Sequence, residues 1–182
     1  MPVEDLVKTH RRTVAVGFIL LAGCCGLAGH ASTQSKEGAR QRILGAWQLE
    51  SRTVRKASGE TLLDPVLGQQ PTGRLFYDAS GNMMLQMMRQ ERAQAISVPS
   101  NPQDAKDPRI VLGYDAYFGT FDVDESDGTI THHVKGSLFP EDLGKDFRRS
   151  LRIEGDTLTL SFTSQSPEGF DVARTLLFRR SK

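Results

Sequence analysis

The segment Tyr114–Leu138, YDAYFGTFDVDESDGTITHHVKGSL, reads as two long strands joined by a tight turn. In its first half Asp115, Tyr117, Gly119, Phe121 and Val123 fall on one face. In its second half Ile130, His132 and Val134 fall on one face, while Thr131, His133 and Lys135 fall on the other. Alternation with period two marks a half-buried strand, because successive side chains leave a pleated backbone on opposite sides. The link Asp124-Glu125-Ser126-Asp127-Gly128 supplies turn formers and ends in the Asp-Gly pair that hairpins favour. One face of this hairpin has to be covered by other strands.

Working outward, most of the chain is built to cover it. Gly45–Arg55 alternates, with Trp47, Leu49, Ser51 and Thr53 on the expected inner face. Thr61–Pro71 is a loop or edge segment broken by Pro65, Gly68 and Pro71. Gly73–Asp78 is a strand, Ala79–Asn82 a hairpin turn, and Met83–Arg89 the returning strand. Its methionines are read as adaptable core. Glu91–Arg109 is long, polar and carries three prolines, so it is expected to be a lid or binding loop. After the hairpin come strands at Phe147–Glu154, with Arg149, Leu151 and Ile153 on one face, then Thr157–Thr163 and Val172–Arg179. About eight strands, neighbours in sequence and each with one apolar face, predict an all-β fold. An open sheet would leave two edges and an uncovered apolar face. Closure into an antiparallel up-and-down β-barrel removes both, and the meander order favours it over a sandwich.

The N-terminal segment has a different character. His10-Arg11-Arg12 precedes an uncharged, mostly apolar run, Thr13–Gly23, which is shorter than the roughly 20 residues a membrane span needs. It has the length of a secretory signal peptide. Leu21-Ala22-Gly23-Cys24 resembles the lipobox of bacterial lipoproteins, where cleavage precedes a cysteine whose thiol is acylated. Ordinary secretion with cleavage after Ala31 is the alternative, and Arg11-Arg12 fits a twin-arginine signal only loosely. The expected organisation is a signal peptide over 1–23, a lipid-anchored flexible tether over 24–42 and a barrel domain over 43–182. The expected address is the cell envelope, membrane-anchored through Cys24. The only cysteines are the neighbours Cys24 and Cys25, so the barrel has no disulfide to rely on. The net charge is +1 for the whole chain and near zero without the leader, which argues against nucleic acid.

Several stretches carry a family resemblance. Leu44-Gly45-Ala46-Trp47 resembles the Gly-x-Trp opening of lipocalins. Gly73-Arg74-Leu75-Phe76-Tyr77, the Asp78–Gly81 turn and Met87-Met88-Arg89 resemble the bacterial and fungal lipocalin-like domain family. Tyr114–Phe121 and Thr129–Val134 match it most closely. The resemblance implies a lipocalin-type barrel with a cavity for a small, largely apolar ligand. It implies neither a catalytic set nor a common ligand.

Six residues are candidates for lining such a site. His132 points inward by parity, where a neutral imidazole can hydrogen-bond a ligand or act as a base; its more common role is a structural one, paired with a neighbouring strand. Tyr117 and Phe121 share the inner face, and Tyr77 is a further candidate. Arg89 ends a strand beside the long loop, where a guanidinium can hold a carboxylate; its more common role there is an exposed end-of-strand arginine. The resemblance implies that Trp47 closes one end of the barrel, as a packing residue first. His133 points the other way, so the adjacent histidines make a poor metal site. The acidic run Asp122–Asp127 fails the EF-hand spacing. Arg148 and Arg149 have opposite parity and make no basic patch. No catalytic residue, cofactor or metal is expected, and the barrel is expected to be monomeric. The rival readings are an isomerase or cyclase acting on an apolar substrate, with His132 and a tyrosine as acid and base, and a barrel filled by its own side chains.

Overall fold

A computed structural model of the chain describes residues 38–90 and 112–182. A short helix, α1 (Ala39–Ile43), leads into nine strands. They are β1 (Gly45–Lys56), β2 (Thr61–Leu62), β3 (Pro71–Tyr77), β4 (Asn82–Arg89) and β5 (Tyr114–Asp124). Then follow β6 (Thr129–Ser137), β7 (Asp146–Glu154), β8 (Thr157–Gln165) and β9 (Asp171–Arg180). Every pairing is antiparallel between neighbours, and β1 closes on β9 from Trp47↔Arg180 to Lys56↔Val172. The result is a closed barrel of eight strands, with the two-residue β2 added at one edge of β1. Closure follows from the patterning: each strand has one apolar face, and only a closed sheet hides all of them without leaving an unpaired edge.

The hairpin at the centre of the sequence forms as its residues dictate. Asp124 pairs with Thr129, and the Asp124 carboxylate accepts the Ser126 N–H at 3.0 Å. Gly128 takes a φ of 67°, the left-handed conformation that glycine adopts without penalty. Farther along, Gly119 packs directly beneath the His133 carbonyl, where any side chain would collide. That close approach accompanies a bulge in β6, where the pairing slips after Phe118.

A second bulge corrects the reading of β1. Leu49 pairs with Phe178 and Ser51 with Leu177, so Glu50 is an extra residue on its strand. The alternation shifts there. Arg52 and Val54 face inward opposite Leu176 and Arg174, in place of the expected Ser51 and Thr53. One boundary also moves: Pro71 opens β3 instead of ending a loop. The short helix α1 borders the barrel. Arg42 donates to the Ile153 carbonyl at 3.0 Å, and the Arg40 guanidinium lies 5.0 Å from the centre of the Phe121 ring. The signal segment, Cys24 and the Glu91–Arg109 loop lie outside the described residues.

The core has two different ends. Around α1, Ile43, Trp47, Leu75, Ile130, Leu158 and Phe178 are all fully buried. Trp47 donates its indole N–H to the Ile43 carbonyl at 2.8 Å, and Arg180 stacks 4.2 Å from its ring, so it closes this end as expected. At the far end of β4 the loop after β2 turns inward. Asp64 is buried there, and its Oδ1 accepts the N–H groups of Val66 and Leu67 at 2.9 Å each.

Candidate functional site

His132 sits at the middle of β6 with no exposed surface, because Ile130 and Val134 fix that face toward the core. Tyr77 on β3 reaches it from a strand that is not its neighbour, and Tyr117 reaches it from the adjoining strand β5. Tyr77 Oη lies 2.7 Å from Nε2, and Tyr117 Oη lies 2.8 Å from Nδ1. Arg149 on β7 donates to Tyr117 Oη at 2.9 Å. Four side chains from four strands thus form one hydrogen-bonded row, Arg149–Tyr117–His132–Tyr77.

One direction in the row is fixed: a guanidinium only donates, so Tyr117 Oη accepts from Arg149. The His132 tautomer sets which of the two tyrosine contacts the ring donates and which it accepts. Burial favours the neutral forms of His132, Tyr77 and Tyr117. It holds the His132 pKa well below 6.5, aided by the positive charge of Arg149 and by His133. It also raises Tyr77 well above the ordinary tyrosine range and raises Tyr117, with Arg149 opposing the rise in both.

The expected lining residues are partly brought together. His132, Tyr77 and Tyr117 meet directly. Phe121 packs edge-on against Tyr77, with ring centres 4.7 Å apart, on the side toward α1. Trp47 belongs to the closed apolar end. Arg89 is engaged elsewhere: it donates to the carbonyls of Pro65 and Val66 at 2.7 and 3.0 Å and so holds the Asp64 loop. His133 faces outward between Asp146 (2.6 Å) and Asp122 (3.0 Å), whose hydrogen bonds and charges raise its pKa.

The site residues missing from the sequence-based candidates are arginines, although alternation already placed Arg149 on the face of Leu151 and Ile153. Arg149 is 8 % exposed and stacks on Phe162, 4.3 Å from the ring centre, with Phe147 at 5.4 Å. Arg174 on β9 donates to Ser164 at 2.6 Å and to Asp64 at 3.1 Å. Arg52 Nε lies 3.0 Å from the same Asp64 oxygen, but its N–H is not aligned with that contact, so the pair is ionic without a hydrogen bond. Inward parity with their apolar neighbours was the available signal for Arg149 and Arg174. Arg52 was hidden by the bulge. Among the described residues no cluster of three or more His, Cys, Asp or Glu side chains is arranged to hold a metal ion.

The barrel topology and the length over which the sequence follows it agree with comparison to known families. A family model described as a lipocalin-like domain matches residues 44–181. The chain belongs to the lipocalin-like domain family. No curated protein matches it. In this lipocalin-like protein the match covers every strand of the barrel, from β1 through β9. The shared barrel is consistent with binding a small apolar molecule.

Proposed function

We propose that this lipocalin-like protein is an envelope-anchored carrier that holds a small, largely apolar ligand in its barrel. The observation that carries the reading is the Arg149–Tyr117–His132–Tyr77 row, set among apolar side chains. A polar row inside an apolar barrel gives a ligand one oriented contact, while the surrounding surface supplies the hydrophobic attraction. The leader supports export, and Cys24 is the residue proposed to carry the lipid. The barrel is proposed to act as a monomer.

Native mass spectrometry of the purified full-length protein, followed by solvent extraction, tests the carrier reading. A discrete co-purifying apolar molecule supports it. A clean apo mass with no uptake from a lipid extract rejects it in favour of a barrel filled by its own side chains. Cys24→Ser tests the anchor: loss of lipid labelling and of membrane fractionation is expected, and unchanged fractionation with labelling retained would refute it.

The same row also favours a second reading, an isomerase or cyclase. A hydroxyl whose proton is relayed through a neutral imidazole can protonate a bound substrate. Turnover of an extracted ligand that is lost in Tyr77→Phe would establish this; binding without turnover would leave the carrier.

A further inference from the structure

A cleft lies outside the barrel interior, at the end that α1 borders. It encloses about 430 Å³ and is lined by Gln41 and Arg42 of α1, Ile153 of β7, Gly155 in the turn that follows, and Arg180 of β9. That volume falls in the lower part of the range of roughly 300–1,000 Å³ that small-molecule sites occupy. Gly155 leaves its side of the cleft open, since a Cβ there would meet nothing within 4 Å.

Both guanidiniums are held in place by neutral groups. Arg180 donates Nη1 to the Leu44 carbonyl at 2.8 Å and Nη2 to the Arg42 carbonyl at 2.6 Å, and it stacks 4.2 Å from the Trp47 ring. Arg42 donates Nη2 to the Ile153 carbonyl at 3.0 Å, while its Nε is buried without an acceptor. Nη1 of Arg42 also has no hydrogen-bond partner among the described residues. Carbonyls fix the position of a guanidinium but leave its charge in place. Among the described residues the carboxylate within 4 Å of either guanidinium is that of Asp156, whose Oδ1 lies 3.6 Å from Arg180 Nε, too far for a hydrogen bond. Glu154, next to the cleft, is held by Arg152 at 2.6 Å. Two fixed positive charges therefore face one distant negative charge, and the exposed Gln41 amide adds a further donor.

We propose that this cleft is a binding site of its own and takes a phosphate ester. The phosphate oxygens accept from Arg42 Nη1 and the Gln41 amide, and the Arg180 charge lies beside them. A tetrahedral oxyanion suits donors that come from separate elements and do not share a plane, whereas a carboxylate prefers one flat edge. The cleft extends beyond the two arginines to Ile153 and Gly155, which leaves room for the substituent of an ester. A lipid headgroup and a soluble phosphate ester share this chemistry. The site is separate from the His132 row, so it stands or falls independently of the carrier reading.

The test is isothermal titration calorimetry on the purified full-length protein at about 0.15 M sodium chloride, where loose surface attraction is screened. Glycerol 3-phosphate and dihexanoylphosphatidylglycerol, kept below its micelle concentration, serve as the soluble and lipid probes. Saturable binding is expected. Tighter binding of the lipid points to a headgroup as the source, and tighter binding of glycerol phosphate to a soluble ester; either supports the site. Arg42→Gln should weaken the bound probe about tenfold, the effect of losing a charge-assisted hydrogen bond. Gln41→Glu, a change at an exposed position, should weaken it about fivefold by adding a negative charge to the cleft. Saturable binding of neither probe overturns the inference. Binding that both variants leave unchanged also overturns it, because the probe is then held elsewhere, in the barrel for the lipid. If Arg42→Gln does not fold, as judged by circular dichroism, Gln41→Glu still decides.

Discussion

The two ends of the barrel interior are built from the same strands and solve opposite problems. Near α1 the inner positions are Trp47, Leu75, Ile130, Leu158 and Phe178, closed by Ile43, and nearly all of their surface is removed from water. At the other end the inner positions of the same strands include Arg52, Arg149 and Arg174, with Asp64 delivered by a loop. The apolar end stabilises the fold through area removed from water. The polar end costs desolvation and recovers it only where partners are in place. The difference teaches that this barrel devotes one end to cohesion and keeps the other chemically specific, with the His132 row as the boundary between them.

The sharpest way to break the comparison is to damage each end in turn and measure urea unfolding. Trp47→Ala should cost about 4 kcal/mol, from lost transfer energy and the cavity left behind. Asp64→Asn should cost about 3 kcal/mol, because it strands the buried charges of Arg52 and Arg174. If Asp64→Asn proves neutral, the polar end is more hydrated than its burial implies. At the boundary, His132→Gln should cost about 1–2 kcal/mol, since one planar amide cannot meet both tyrosine hydroxyls. The same variant should also change affinity for any ligand that the protein is shown to carry.

The smallest effect sharpens the comparison between inside and outside. The pKa of His132 is held below 6.5 in the fold, so the unfolded chain binds the extra proton as pH falls through that value. Stability is therefore lost on acidification. His133 is the reverse: its raised pKa gives a contribution that is complete below 6.5 and disappears as pH rises through the folded value. Unfolding measured at pH 5 and pH 7 should show His132→Gln flattening the acid loss and His133→Gln steepening it. Identical slopes in both variants would refute the opposite environments of these neighbours.

Much of the barrel was legible because period-two patterning and turn chemistry act locally. The Tyr114–Leu138 hairpin, the inward parity of His132 and the outward parity of His133 needed only the pleat of a strand. The inner position of Arg52 was not legible. A one-residue bulge at Glu50 reverses the alternation, and nothing in the local sequence distinguishes it from regular strand. The partners of Arg89 were not legible either, because they are the carbonyls of Pro65 and Val66, more than twenty residues earlier in the chain.

By itself the sequence determined the strand order, the closure of the sheet and the parity of each inner residue on a regular strand. These follow from alternation and from the need to hide one apolar face per strand. Only the tertiary structure decided which inner polar groups meet. Tyr77, Tyr117, His132 and Arg149 stand on four strands and form one row through the curvature of the barrel. Asp64 finds Arg174 across 110 residues. Parity gives the direction in which a side chain points; strand tilt, bulges and closure determine what it encounters there.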